Sequence, residues 1–425
     1  MPVFTNDVPE ARQQKAAAAF GDNAPIVVIG AGKPIQKPGG LDQTYPFDPH
    51  PEYYWLTGSR RWGGAIAYDP ADGWTHFVRP AHKNEYLWEG TPEVPDGEDV
   101  AGLTGWLKAR SDRPLAVLGS PLDGITGDPD LAGELRERLD TVRRRKDAAE
   151  IRLVERAAKA TAAAHARARE VIRPGVTERE IQIEVEAAMF REGAEATGFG
   201  TIVGAGTNAA VLHFTPGDRE VGEEDLVLID MGGRVSGYTA DVTRTYSAGE
   251  RFTPRQQAIY DVVLSAEQAG ISCCKVGTEW HDVHRQAARV IAEGLRDLGI
   301  LVGEVDGILE SGVVAMFFPH GVGHMVGLGV RDVGGRAPDR EPGRKCCGVP
   351  VRVDLPLEQN LLMTVEPGIY FVSAMLDDPE RREQFSGQVN WGALDVWRPV
   401  GGVRIEDNVL VTPGEPRVMT AEIPK

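Results

Sequence analysis

Four apolar runs in the second half of the chain each deliver an acidic residue to the place where the run breaks. They are Leu226-Val227-Leu228-Ile229-Asp230 ahead of Gly232-Gly233, then Tyr238-Thr239-Ala240-Asp241, then Thr364-Val365-Glu366 stopped by Pro367, and Gly402-Val403-Arg404-Ile405-Glu406. A carboxylate on a buried strand is costly unless it is paired, protonated or bound to a cation. The chain is therefore limited to folds that either expose these acids or gather them around a counter-charge. A hairpin turning at 232–237 would bring Asp230 and Asp241 to neighbouring positions. Two facing carboxylates repel unless a proton or a cation lies between them. The plainer alternative is that Asp230 ends its strand and Asp241 is solvated. Glu406 alternates with apolar neighbours and shares a face with Arg404.

A fifth segment, Phe318-Pro319-His320-Gly321-Val322-Gly323-His324, places two of the chain's nine histidines around a glycine-rich loop. Together Asp230, Asp241, His324, Glu366 and Glu406 form a set of four carboxylates and one imidazole. That balance suits divalent ions of hard to borderline character, Mn²⁺ or Co²⁺, with Zn²⁺ also compatible. Bridging carboxylates hold two such ions roughly 3.5–4 Å apart, where they acidify a shared water and polarise a carbonyl. The implied reaction is hydrolysis of an amide or a phosphoester.

The 425 residues are too many for one ordinary core, so two domains are expected. A net charge of −17 argues against nucleic acid as the partner. No apolar run reaches the roughly 20 residues that span a membrane, and the polar stretch from Met1 to Lys15 lacks the pattern of a signal peptide. The four cysteines stand as adjacent pairs, Cys273-Cys274 and Cys346-Cys347, without metal-type spacing, so reduced thiols and a cytoplasmic location are expected.

Up to about residue 140, strands are expected at 24–32, 64–68, 74–78 and 114–118, with a helix at 131–139. The glycines at 30–32 lack the rest of a nucleotide-binding fingerprint. The charged stretch 141–150 is the expected boundary. Helices follow at 148–172, from 177 after a capping box, at 254–269 and at 281–298. Strands are expected at 201–203, 225–230, 238–246, 361–366 and 402–411. This interleaving is not the strict alternation of a parallel barrel, and an α+β domain with a large curved antiparallel sheet fits it. The stretches 339–350 and 377–384 read as polar surface excursions.

The runs L-I-D-M-G-G-x4-Y-T-A-D-V-T-R-T, P-H-G-V-G-H, V-E-P-G-I-Y and G-G-V-R-I-E-D-N resemble, in order and spacing, the signature segments of the pita-bread metallopeptidases, the family of methionine aminopeptidase, aminopeptidase P and prolidase. The resemblance covers residues 146 to 415. It implies a catalytic pita-bread domain at 146–425 behind a smaller α/β creatinase- and prolidase-like domain at 1–145. Asp230 would hold one metal, His324 and Glu366 the other, with Asp241 and Glu406 bridging. Glu366 would also shuttle protons. His213, in V-L-H-F, would contact substrate, and His320 would shape the catalytic site beside the metals. Two divalent ions are implied, manganese first.

Among relatives the chain most resembles the Xaa-Pro dipeptidases. The segment 335–356 looks like a prolidase insertion, Arg352 falls where those enzymes grip the substrate carboxylate, and 384–391 resembles their stretch before G-G-x-R-I-E-D. A dipeptide substrate and a homodimer are the implied partners. Aminopeptidase P is the alternative, and a non-catalytic binding protein of the same fold is disfavoured because all five ligands are present. Arg331 departs from the pattern, since relatives carry a substrate-contacting His there. Tyr53-Tyr54-Trp55-Leu56-Thr57-Gly58 resembles a family segment, which implies that Trp55 helps close an active site.

Overall fold

The computed structural model describes residues 3–337 and 339–425. Met1 and Pro2 of the polar N-terminal stretch and Pro338 of the 335–356 segment therefore lie outside the described residues. The chain forms two compact units, Met1–Arg143 and Arg144–Lys425. No helix among the described residues is long and apolar enough to cross a membrane.

The first unit is built on a five-stranded mixed sheet ordered Glu98–Asp99, Gly73–Val78, Ala65–Asp69, Ile26–Gly30, Leu115–Gly119. The central Ile26–Gly30 is buried at every position and pairs antiparallel with one neighbour and parallel with the other, which explains its unbroken apolar sequence. Gly30 is small for packing reasons, because a Cβ there would lie 2.2 Å from the Ser120 carbonyl oxygen. No helix follows it until Pro51–Thr57. That helix corrects the expectation for Trp55, which is 2 % exposed and so is buried rather than set at an active-site edge.

The charged stretch at 141–150 is structured on both sides. The helix Pro129–Arg144 runs into it, and Asp147 caps the next helix, Ala148–Val171, through a capping box with Glu150. Lys146 is 1 % exposed, and its Nζ lies 2.7 Å from Asp332 Oδ2. Asp332 also accepts the backbone N–H groups of Leu328 and Val333. The pair thus clasps the loop that follows the second histidine segment. Breaking a buried pair strands the remaining charge. Lys146→Met is expected to cost about 3–5 kcal/mol in urea unfolding; a loss below about 1 kcal/mol would mean that Asp332 is solvated after all.

The second unit is α+β. Its strands form short antiparallel sheets: Val242–Ser247, Leu226–Met231 and Ile202–Ala205 in one, Leu362–Val365, Asp407–Leu410 and Arg417–Val418 in another, and Gly368–Tyr370 with Gly402–Arg404 in a third. Single bridges stitch them together at Thr243–Glu406 and Met325–Met363. Helices Pro254–Ser272 and Trp280–Asp297 contribute to the largest core, and Ala148–Val171 with Glu178–Arg191 to another.

Two expected strands are each broken in the middle. The 238–246 run splits into Tyr238–Thr239 and Val242–Ser247, and the 402–411 run into Gly402–Arg404 and Asp407–Leu410. The breaks fall at Ala240-Asp241 and Ile405-Glu406, where the backbone leaves the ladder and frees an acid to turn inward. The supposed surface excursions are also structured. Within 339–350, Lys345–Cys346 and Val349–Pro350 form a hairpin whose Cys346 and Val349 are buried. Within 377–384, Asp378 caps the helix Pro379–Gln384.

Candidate metal centre

Asp230 lies on a strand buried at every position, paired with Thr243 across the ladder. Met231 opposes Val242, so Asp241 stands across from Gly232. The two acids are diagonal neighbours on one face rather than directly opposite. Gly232 permits this closeness, since a Cβ there would lie 1.7 Å from the Ala240 carbonyl oxygen.

Asp241 is held from both sides by one amide: its N–H donates to Asn408 Oδ1 at 3.0 Å, and its carbonyl accepts from Asn408 Nδ2 at 2.6 Å. Glu406 is 1 % exposed and accepts from Thr243 Oγ1 at 2.6 Å. His324 donates Nδ1–H to the Met325 carbonyl at 3.0 Å. Its Nε2, the ring nitrogen turned to the site, lies 3.4 Å from Asp241 Oδ2 and 3.8 Å from Glu366 Oε1. One ligand atom each of Asp241, His324 and Glu406 lies within 4.8 Å of the others.

Arg404 makes a cationic contact to Asp230, donating to Oδ2 at 2.6 Å. It also donates to Thr243 Oγ1 at 3.0 Å and to the Tyr370 hydroxyl at 3.0 Å. Tyr370 in turn bonds His320 Nε2 at 2.9 Å, while His320 Nδ1 bonds the Gly321 carbonyl at 2.9 Å. Burial, and then the Arg404 charge, push His320 down to about 3, so it is neutral. With both ring nitrogens engaged, His320 orients the loop and is not a free acid or base.

The acids are held against their ordinary chemistry. Burial, then the charges of Asp230 and Glu366, raise Asp241 well above the carboxylate range. Burial, then Asp241, does the same for Glu406, and burial raises Glu366. Asp230 Oδ1 is buried and no hydrogen-bond donor satisfies it. An orphaned carboxylate oxygen, an imidazole nitrogen turned to the acids and the crowding of those acids together fit a divalent cation, and one Arg404 does not balance them.

A cavity of about 670 Å³ opens over these groups. Nine residues singled out from the sequence line it: the five ligand candidates together with His213, His320, Arg331 and Arg352, whereas Trp55 does not. His213, Arg331 and Arg352 are exposed on its outer part. Tyr370, Thr243 and Asn408 went unnoticed in the sequence because nothing in a single Tyr, Thr or Asn announces a partner. Arg404 carried a signal, since a cation two residues from Glu406 on the same strand face demands an anion.

Residues 152–413 match metallopeptidase family M24, and residues 10–101 match the aminopeptidase P N-terminal domain. A probable Xaa-Pro aminopeptidase of Botryotinia fuckeliana is 32% identical over 394 residues, covering 87% of this chain and 84% of the relative. One of Uncinocarpus reesii is 29% identical over 427 residues, covering 94% and 88%. Among solved structures, the aminopeptidase PepP of Pseudomonas aeruginosa has a TM-score of 0.81 at 28% identity, covering 100% of this chain and 97% of that one. Aminopeptidase P from E. coli with the inhibitor Pro-Leu has a TM-score of 0.79 at 26% identity, covering 99% and 96%. None of these four is a prolidase, the relative that the 335–356 segment and Arg352 had pointed to. With a fold, a ligand set and a family match in agreement, the chain belongs to metallopeptidase family M24, the pita-bread hydrolases, behind an N-terminal domain of the aminopeptidase P type.

Proposed function

We propose that this chain is a metal-dependent Xaa-Pro aminopeptidase, which removes the residue ahead of proline from the N-terminus of a peptide. The observation that carries the reading is the convergence of Asp230, Asp241, His324, Glu366 and Glu406 beneath one cavity with an exposed cationic margin, in a chain whose relatives are Xaa-Pro aminopeptidases. This replaces the dipeptidase as the first reading.

Asp230 would hold one divalent ion and His324 with Glu366 the other, with Asp241 and Glu406 shared. Manganese suits the oxygen-rich set, and cobalt and zinc are compatible with it. When bound, the ions supply a nucleophilic water near neutral pH and polarise the scissile carbonyl. Glu366 faces the cavity with its carboxyl raised by burial, which suits it to take a proton and return it to the leaving nitrogen. His213, exposed beside Leu212 and Phe214, is placed to contact the peptide, and the apolar wall of Phe199, Ile202 and Phe214 suits a pyrrolidine ring. Arg331 can only donate, and so binds a carbonyl or carboxylate where a neutral His would exchange protons.

A dipeptidase reading keeps one supporting observation, Arg352 on the cavity margin, where a guanidinium would grip a dipeptide's carboxylate. The test is a panel of Xaa-Pro dipeptides, Xaa-Pro-Yaa tripeptides and Xaa-Ala-Yaa controls in Mn²⁺. The tripeptides are expected to show kcat/KM at least about tenfold above the dipeptides. The reverse order restores the dipeptidase, and no proline-dependent turnover at all ends both. Arg352→Ala should alter KM for tripeptides by less than about threefold, because their carboxylate lies further out.

A further inference from the structure

Behind the histidine loop, the hairpin of Lys345–Cys346 and Val349–Pro350 turns through Cys347 and Gly348. Successive strand residues ordinarily point to opposite faces. Cys347 is left-handed, with φ +51°, and its side chain swings back toward its neighbour. The sulfurs of Cys346 and Cys347 therefore lie 3.8 Å apart. His284 sits against them with no exposed surface, and one of its ring nitrogens and both sulfurs lie within 4.8 Å of one another. Its Nδ1 accepts the Val322 N–H at 3.1 Å, so its proton resides on Nε2. That tautomer offers the pair a donor, not a lone pair, and so disfavours the trio as a metal site.

The two thiols are unequal. The hydrogen bond from Cys347, with help from Arg285, lowers Cys346 below the usual thiol range, whereas the same bond and burial raise Cys347. The other adjacent pair is a built-in contrast: burial raises Cys274, whose thiol donates to the Gly270 carbonyl.

We propose that Cys346 and Cys347 form a peroxide-reactive dithiol that closes to a disulfide between adjacent residues. The Cys346 thiolate attacks a peroxide oxygen, the O–O bond breaks, and the departing hydroxide takes up the proton that the Cys346 thiol had released, so that a sulfenic acid and one water result. The Cys347 thiol then attacks that sulfur, the S–S bond forms and the hydroxyl leaves as a second water. Overall, two thiols and one hydrogen peroxide give one disulfide and two waters, the sulfurs losing two electrons and the peroxide gaining them. Adjacent Cα atoms are about 3.8 Å apart, closer than in an ordinary disulfide, so a mild thiol reverses the reaction. The strand leaving this turn carries Pro350 and then Arg352 to the cavity wall, and closure of the ring shifts that wall.

The full chain is treated with a slight excess of hydrogen peroxide, alkylated, and mapped by mass spectrometry. The expected result is a loss of about 2 Da, with Cys346 and Cys347 blocked until dithiothreitol is added and Cys273 still alkylated. A sulfinic or sulfonic acid on Cys346 beside a free Cys347, or a bond at Cys273-Cys274, overturns the proposal. Cys347→Ser should halt at a sulfenic acid trappable by dimedone; no trapped adduct also counts against it. The wall shift rests on the peptidase reading and is read separately: KM for a tripeptide should rise at least about threefold on oxidation and recover on reduction. Unchanged KM in a chain proven to carry the disulfide overturns the coupling.

Discussion

Asp241→Ala lowers metal-dependent turnover by at least about a thousandfold and leaves less than one ion per chain. The carboxylate is buried, 4 % exposed and 3.4 Å from His324 Nε2, with Asp230 diagonal to it across the hairpin. On the proposed assignment Asp241 and Glu406 would be the two shared acids, so the loss of Asp241 would weaken the hold on both ions at once. The fold itself should be spared. Asn408 grips the backbone N–H and carbonyl of Asp241, not its side chain, so alanine keeps both bonds. Removing one of several crowded acids also relieves repulsion in the metal-free chain, whose Tm should hold or rise. Metal content after Mn²⁺ incubation and desalting, kcat/KM on a tripeptide, and thermal unfolding without metal check the three parts. Wild-type turnover with two bound ions would sink the assignment of Asp241. A collapse of the metal-free Tm would mean the residue is a folding element instead.

The ligand set was legible because strand-terminal acids next to Gly or Pro are rare and costly, so sequence and chemistry pointed the same way. The strand containing Asp241 was legible as a strand but not as a broken one. Its interruption depends on the Ala240 carbonyl closing over Gly232 and on Asn408, which comes from a segment 167 residues away. The same holds for Glu406, freed from its ladder and tied to Thr243. At 141–150 the charge pattern gave no sign of the partner that Lys146 finds. Lys146 looks solvated until Asp332, 186 residues on, is brought to it. Trp55 failed for a related reason, since a motif shows which residues resemble a family but not which way a helix turns them. The choice between dipeptidase and aminopeptidase rested on Arg352 and the length of an insertion. Both describe the margin of the cavity, where a few side chains decide what fits and a shared ligand set says nothing.

Manganese affinity climbs steeply with pH, by up to roughly a hundredfold per pH unit. In the metal-free chain, burial and then neighbouring acids raise both Asp241 and Glu406 well above the ordinary carboxylate range. A carboxyl with a native pKa above its unfolded value keeps a proton that the unfolded chain has released. Metal-free stability is then greatest at or below the unfolded pKa and falls as pH rises through the native value. Ion binding needs both carboxylates bare, so loading expels the two protons, and the logarithm of affinity gains up to two per pH unit until the native pKa is passed. Glu366, raised by burial as well, adds to the effect in the same direction. The metal-free Tm should therefore fall as pH rises above the ordinary carboxylate range while the loaded Tm stays nearly level, and the gap between them widens. Mn²⁺ titration by calorimetry at several pH values, in two buffers of different ionisation heat, counts the protons released. Release of about two protons per loaded chain near neutral pH agrees with crowded, protonated acids. Affinity independent of pH would mean that these acids are already ionised when no ion is present, and that the site is far less compressed than its geometry requires.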